Sequence, residues 1–169
     1  MSTWVNTVPY GVAWSQAELE ALADTASAEH GIPPAGLRAL LARESSWDTE
    51  VVSPAGAMGV AQFMGPTAGE LGVDPFYPPS AIDGSARYLA KLRSQFGEWP
   101  AALAGYNWGP GNVARHIGEH GELVVGELPR ETRNYVENLA PAFRGVGAVV
   151  VAGATGALLL LFVLLGLAR

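Results

Sequence analysis

The feature that most constrains the fold of this chain is an uncharged stretch of 24 residues, 145–168, between Arg144 and Arg169. Thirteen of the residues from Val146 to Leu167 are Val, Leu or Phe. As a helix the stretch would extend about 36 Å, whereas the hydrocarbon core of a bilayer is about 30 Å thick. A buried helix that is apolar on all sides would need a large domain around it. We therefore predict one C-terminal transmembrane helix over 146–167.

This segment also predicts the location of the protein, a single-pass membrane protein with a C-terminal anchor in the lipid bilayer. Ala148, Ala152 and Gly156 recur every four residues, a spacing that permits helix–helix association in the membrane. One arginine flanks each end, so the positive-inside rule assigns no orientation. Residues 1–6 have neither the basic nor the apolar region of a secretion signal, and we expect none.

The remaining residues, roughly 140, are enough for one domain with a buried core. A formal net charge of −6 argues against a nucleic-acid partner, which calls for a basic face. The chain has no cysteine, so disulfides and thiolate metal sites are excluded. We divide the chain into an N-terminal segment, 1–14, a domain over 15–143, and the apolar segment.

Hydrophobic spacing predicts a mainly α domain. Ser15 and Glu18 form a capping-box signature for a helix that extends to about His30 and stops at Gly31. Residues 50–65 are rich in Gly, Ala and Ser and predict an irregular loop or short hairpin. Further helices are predicted near Pro66–Leu71, from a Ser80 cap to Phe96, from Pro100 to Gly109, over Gly111–Glu119, and from Pro129 onward with Tyr135, Val136 and Leu139 inward.

The second helix carries the most informative acidic residue. It begins at Pro33-Pro34, and its apolar residues Leu37, Leu40 and Leu41 place Glu44 on the same stripe, at the C-terminal end. Burial and the negative end of the helix dipole both raise the pKa of a carboxyl group placed there. A carboxylic acid that stays protonated near neutral pH can protonate a glycosidic oxygen.

Four sequence blocks extend this interpretation. They are Glu44-Ser45; Gly56 to Met64 with Pro66 and Ala68 beyond; Ala104 to Gly111; and Pro129, Glu131, Thr132, Tyr135 and Val136. In this order and spacing, the chain resembles the soluble lytic transglycosylases, peptidoglycan-cleaving enzymes with a lysozyme-like fold related to goose-type lysozyme. The resemblance covers about residues 30–140.

The resemblance implies the fold, a lysozyme-like domain, and the site. Glu44 corresponds to the catalytic acid/base and Tyr135 to a tyrosine near it. The residues expected at the glycan are Ser45, Ser53, Gln62, Phe63, Met64, Tyr106, Asn107 and Tyr135, with no metal and no cofactor. The chain departs from the family in Val60-Ala61, which replace a Leu-Met pair and are expected to alter a subsite wall, and in Gly105 before Tyr106.

The resemblance also implies the reaction. Neutral Glu44 would protonate the oxygen between N-acetylmuramic acid (MurNAc) and N-acetylglucosamine (GlcNAc). The acetamido group of the muramic acid would then stabilise the oxocarbenium-like centre, as in substrate-assisted glycosidases. Ionised Glu44 would finally accept the proton of the 6-hydroxyl, which leaves a 1,6-anhydro end. One carboxylate is enough for this sequence of steps.

Three alternatives stay open. A goose-type lysozyme would hydrolyse the same bond with a water held by Asp48 or Glu50. His116-Ile117-Gly118-Glu119-His120 fits a zinc-protease pattern, although Gly118 and Gly121 disfavour a rigid helix. A membrane-anchored structural or pore protein would need no activity at all.

The biological setting is inferred from the architecture of the chain. A small, self-contained wall-cleaving domain with a membrane segment suits a phage protein that opens the cell wall during genome entry or lysis. A virion with an internal membrane would account for the anchor, and the host cell envelope is the other location we consider.

Overall fold

The computed structural model describes residues 13–144. The α-helices are α1 (Gln16–His30), α2 (Pro34–Ser45), α3 (Gly65–Leu71), α4 (Pro78–Phe96), α5 (Trp99–Trp108), α6 (Pro110–His120) and α7 (Arg130–Leu139), and short 3₁₀ turns span Val125–Glu127 and Ala140–Phe143. Within this part of the chain, β pairing is limited to two isolated bridges, Val52 with Met58 and Met58 with Phe63. The prediction of a mainly α domain is confirmed.

The ends of α1 follow from its local sequence. Ser15 Oγ accepts a hydrogen bond from the Glu18 backbone N–H at 3.3 Å, and the Glu18 carboxylate accepts the Ser15 N–H at 2.8 Å. At the other end Gly31 adopts a left-handed φ of 67°. The predicted capping box and glycine stop are therefore both confirmed.

Helix α2 carries Glu44 and is fixed along its length. Leu37, Leu40 and Leu41 are fully buried, as the periodicity predicted. At the N-terminal end, a Cβ on Gly36 would lie 2.8 Å from the ring of Phe143, so the helix packs its backbone directly on this buried phenylalanine. On the outer face Arg38 pairs with Asp24 of α1. These contacts set the position of the C-terminal turn of α2.

One predicted boundary is wrong. Helix α4 begins at Pro78, and Tyr77 rather than Ser80 is its N-cap. Proline has no N–H that needs a cap and its fixed φ suits the first helical turn, so it can begin the helix itself. Ser80 lies inside the helix, where its Oγ accepts the backbone N–H of Asp74 at 3.1 Å and closes the preceding loop.

The apolar C-terminal segment lies outside the described residues. The predicted helix over 146–167 and its small residues Ala148, Ala152 and Gly156 thus remain predictions, as does the N-terminal segment up to residue 12. In residues 13–144, no helix combines the length and the apolar character needed to cross a bilayer.

Two buried serines offer a stability test of the core. Ser27 in α1 is 1% exposed, and its Oγ has no hydrogen-bond partner among the residues that the structure describes. A buried hydroxyl left unpaired costs about 1–3 kcal/mol. We expect Ser27→Ala to raise the free energy of unfolding by about 1 kcal/mol in urea denaturation.

The matched control is Ser85→Ala in α4. The Ser85 side chain is equally buried, but its Oγ donates to the Ile82 carbonyl at 2.8 Å. Its replacement is expected to leave stability unchanged or lower it. A stabilisation of the same size in both variants would assign the gain to helix propensity alone.

Candidate active site

The candidate site is built around Glu44, in the last turn of α2. The pKa of this carboxyl group is raised from 4.5 to about 7, chiefly by burial and to a smaller extent by the charge of Glu131 on α7. A hydrogen bond from Tyr135 and the positive charge of Arg43 act in the opposite direction. Glu44 is therefore an acid that can be protonated or ionised near neutral pH.

Tyr135 connects α7 to this carboxyl group. Its hydroxyl donates a hydrogen bond to Glu44 Oε1 across 91 positions of sequence. Burial, followed by the charge of Glu44, raises the pKa of Tyr135 well above its usual value, so the phenol stays a donor. The bond orients one carboxyl oxygen and leaves Oε2 for other chemistry. Tyr135 thus lies where the resemblance placed it.

The loop over 51–64 is joined to the last turn of α2, because Ser45 Oγ donates to the Val60 carbonyl at 2.9 Å. Gln62 has a left-handed backbone with φ 49°. Its side-chain Nε2 donates to the carbonyl of Gly59 at 2.9 Å and to that of Val51 at 3.3 Å. Phe63 turns inward and is 2% exposed, whereas Met64 is 44% exposed.

A cavity of about 230 Å³ opens between this loop and α5, and its walls are Gln62, Phe63, Met64, Thr67, Tyr88, Tyr106, Asn107, Trp108, Gly109 and Pro110. The rings of Tyr88 and Tyr106 lie 5.5 Å apart, and that of Phe63 is 6.0 Å from Tyr106. Glu44 is not one of the residues that line this cavity, but burial, and then the charge of Glu44, raise the pKa of Tyr106, which does line it. Aromatic walls with a few polar groups suit a sugar.

Most of the predicted site residues lie together in the structure, but some line the cavity and others hold the backbone of the loop. Gln62, Phe63, Met64, Tyr106 and Asn107 line the cavity. The hydroxyl groups of Ser45 and Tyr106 instead donate to backbone carbonyls of the loop, those of Val60 and Ala61, both at 2.9 Å.

Two other predicted features lie away from the cavity walls. Ser53 stabilises a turn, because its Oγ accepts the Ala57 N–H at 3.0 Å. The side chains of Val60 and Ala61 are fully buried, so they belong to the core. Neither residue lines the cavity, and the expectation that they alter a subsite wall stays a prediction.

Tyr88 is a cavity residue that sequence analysis missed. It comes from α4, outside the four blocks, and its ring is half-buried beside Phe63. The available signal was its position in α4, where it falls between the buried residues Ser85 and Leu92 at helical spacing. A tyrosine on a core stripe indicates burial, and the cavity beside it follows only from the fold.

Asp48 and Glu50, the carboxylates considered for holding a water, are exposed. Asp48 Oδ1 accepts the backbone N–H of Glu50 at 2.9 Å and so stabilises its own turn. The acidic residue whose charge does reach Glu44 is Glu131.

Both histidines of the zinc-protease pattern lie in α6. α6 does include Gly118, and the rings of His116 and His120 lie 4.4 Å apart. His116 is buried, and its Nε2 accepts the Val124 backbone N–H at 3.2 Å. This nitrogen is therefore engaged in a hydrogen bond rather than open to a metal ion. Among the described residues, the group of three close potential ligands is Glu29, His30 and Asp83, which does not include this pair.

Glu44 should also make stability depend on pH. Its pKa is 4.5 ordinarily and about 7 in the folded protein, so between these pH values the folded state holds a proton that the unfolded state releases. The stabilisation is complete below the ordinary pKa and is lost as pH rises through the folded pKa. It amounts to at most about 3 kcal/mol.

This dependence can be measured against Glu44→Gln, which cannot titrate. We expect urea unfolding at pH 5 and pH 8 to show that the variant gains stability relative to the wild type by up to about 3 kcal/mol at the higher pH. Equal pH dependence in the two proteins would contradict the raised pKa.

The chain is similar in sequence to transglycosylases. Residues 21–124 match the family described as the transglycosylase SLT domain. The chain is 39% identical over 98 residues to membrane-bound lytic murein transglycosylase F 2 of Alkalilimnicola ehrlichii, covering 53% of this chain and 22% of that protein. It is 34% identical over 118 residues to the transglycosylase of Enterobacteria phage PRD1, covering 59% of this chain and 44% of that protein.

Solved structures agree with the sequence relatives. The fold is similar to that of the 70 kDa soluble lytic transglycosylase of Escherichia coli, with a TM-score of 0.65 and 28% identity. That similarity covers 74% of this chain and 24% of the larger one. The chain therefore spans less than half the length of each of these relatives.

Proposed function

Because this chain belongs to the transglycosylase SLT domain family, we propose that it is a peptidoglycan lytic transglycosylase that cleaves the β-1,4 bond between MurNAc and GlcNAc. The observation that carries this proposal is Glu44, a carboxyl group with a pKa of about 7 that is hydrogen-bonded to Tyr135 and whose charge acts on Tyr106, a residue of the cavity with aromatic walls. An acid with such a pKa can both donate and accept a proton at neutral pH.

In the first step, protonated Glu44 gives its proton to the glycosidic oxygen, and the bond from that oxygen to C1 of MurNAc breaks. The acetamido oxygen of the same sugar stabilises the positive charge at C1. In the second step, ionised Glu44 takes the proton of the 6-hydroxyl group of MurNAc. The oxygen of that hydroxyl group bonds to C1 of the same sugar. The products are a 1,6-anhydro-MurNAc end and a free GlcNAc hydroxyl, and Glu44 is again protonated.

Tyr135 suits both steps because its hydroxyl donates to Glu44 Oε1 and leaves Oε2 to exchange the proton. A route with a single carboxylate is supported by the exposure of Asp48 and Glu50 and by the turn in which Asp48 is engaged. The alternative is hydrolysis of the same bond, for which Glu131 is the acidic residue whose charge acts on Glu44.

The products distinguish these reactions. Purified peptidoglycan would be digested with the full chain in detergent, and the released muropeptides analysed by mass spectrometry. We expect anhydro-muramyl ends. Reducing ends would indicate hydrolysis and make Glu131→Gln the next variant. No release at all would favour the non-enzymatic structural or pore role.

We also propose that the apolar segment over 146–167 anchors the protein in a membrane and that the protein belongs to a phage. The sequence of the segment and the similarity to a protein named as a phage transglycosylase support this setting. Self-association through Ala148, Ala152 and Gly156 is part of the same proposal. Detection of the protein in purified virions would support a role in genome entry, and its presence only in the host envelope would favour lysis.

A further inference from the structure

Two hydroxyl groups from different helices converge on neighbouring carbonyls of the active-site loop. Ser45 Oγ, in the last turn of α2, donates to the Val60 carbonyl at 2.9 Å, the shorter of its two contacts, since the Leu41 carbonyl of its own helix lies 3.3 Å away. Tyr106 Oη, in α5, donates to the Ala61 carbonyl, also at 2.9 Å. Ser45 follows Glu44 directly in the chain, so the first of these bonds joins the loop to the helix turn that carries the candidate acid.

The loop needs these donors because of its own geometry. Val60 and Ala61 have fully buried side chains, yet this part of the loop belongs to no helix or sheet. A buried backbone carbonyl outside regular structure needs a donor from the backbone, a side chain or water, or it remains unpaired at a cost. Ser45 and Tyr106 provide one donor each.

Gln62 follows Val60 and Ala61 in the chain. Its φ of 49° lies in the left-handed region, which non-glycine residues seldom adopt without support from their surroundings. Its side-chain nitrogen faces two carbonyl acceptors, those of Gly59 and Val51, which settles which end of the amide is nitrogen. The amide oxygen of Gln62, a hydrogen-bond acceptor, is therefore the end left for the cavity.

We propose that Ser45 and Tyr106 are positioning residues that act through Gln62. Their hydroxyl groups hold the carbonyls of Val60 and Ala61, keep Gln62 in its left-handed conformation, and so fix its amide oxygen relative to Glu44. This assignment replaces the expectation that the Ser45 hydroxyl contacts the glycan. The effect of this positioning role on the rate of glycan cleavage rests on the proposed function, whereas its effect on the conformation of the loop does not.

The first test is independent of activity. Hydrogen exchange of the full chain, followed by mass spectrometry, would compare the wild type with Ser45→Ala and Tyr106→Phe. The backbone amides of Gln62 and Phe63 donate within the loop, to the carbonyls of Gly59 and Met58. We expect both amides to exchange at least tenfold faster in each variant, and to exchange at the wild-type rate in the control Ser85→Ala. Unchanged exchange in both variants would overturn the proposal.

The second test uses a double-mutant cycle on glycan cleavage. Ser45→Ala and Tyr106→Phe are each expected to lower kcat/KM about tenfold, whereas Ser45→Thr, which keeps a hydroxyl, should restore most of the loss. In a Gln62→Ala background, Ser45→Ala should add less than a twofold loss. A full tenfold loss in that background would mean that Ser45 acts without Gln62 and would overturn the proposal.

The two tests separate the possible failures. A wild-type protein that cleaves no glycan would refute the proposed function, and the exchange rates would still decide the role of Ser45 and Tyr106. A protein that cleaves glycan but shows neither faster exchange nor coupling to Gln62 would refute the positioning role alone.

Discussion

Replacement of Glu44 by glutamine is expected to lower the rate of glycan cleavage by about a thousandfold, within the range that a single general acid contributes. Glutamine has almost the same shape but cannot donate a proton to the glycosidic oxygen. It retains a carbonyl oxygen that can accept the Tyr135 hydroxyl, so the local packing should survive. The assay is the release of muropeptides from purified peptidoglycan, quantified by mass spectrometry.

Asp48→Asn is the matched control, because it removes a carboxylate that is close in the chain but exposed. We expect cleavage within about twofold of the wild type, since surface substitutions have small effects. A Glu44→Gln protein that keeps more than a tenth of the wild-type rate would refute the role of Glu44 as the acid. If Asp48→Asn were the more damaging change, a hydrolytic mechanism would regain support.

The largest expected loss of stability comes from Gly59→Ala. Gly59 has a φ of 65°, and a Cβ there would overlap the carbonyl oxygen of Pro75. A left-handed alanine costs about 1–2 kcal/mol, and forcing extra atoms into a packed site costs another 1–3 kcal/mol. We therefore expect the free energy of unfolding to fall by about 3 kcal/mol, as measured by urea denaturation.

Gly56→Ala provides a close control in the same loop. Gly56 also has a positive φ, 87°, but nothing lies within 4 Å of a Cβ placed there. The free energy of unfolding of Gly56→Ala should fall only by the cost of a left-handed alanine, about 1–2 kcal/mol. Equal losses in the two variants would show that the loop can move away from Pro75. The rate of glycan cleavage should fall more in Gly59→Ala than in Gly56→Ala. The Gly59 carbonyl accepts a hydrogen bond from the Gln62 side chain, and a shift of the backbone at residue 59 would move it.

Much of the fold could be predicted because its signals are local. The helix boundaries at Ser15 and Gly31 depend on caps that involve neighbouring residues. The start of α4 was misplaced because Pro78 and Ser80 both offer a start signal, and the hydroxyl of Ser80 bonds to Asp74 in the preceding loop. Local patterns cannot rank two such signals.

The sequence by itself determined that Glu44 lies on a buried helical stripe, and the periodicity of α2 is enough to imply a raised pKa. The resemblance of four sequence blocks to the soluble lytic transglycosylases further predicted which residues belong to the site. Tertiary structure alone decided which atoms these side chains contact. Ser45 and Tyr106 donate to carbonyls 15 and 45 positions away, and Tyr88 reaches the cavity from a helix outside every block. The physical reason is that hydrogen bonds and cavity walls depend on distances between distant segments, which exist only after the helices have packed.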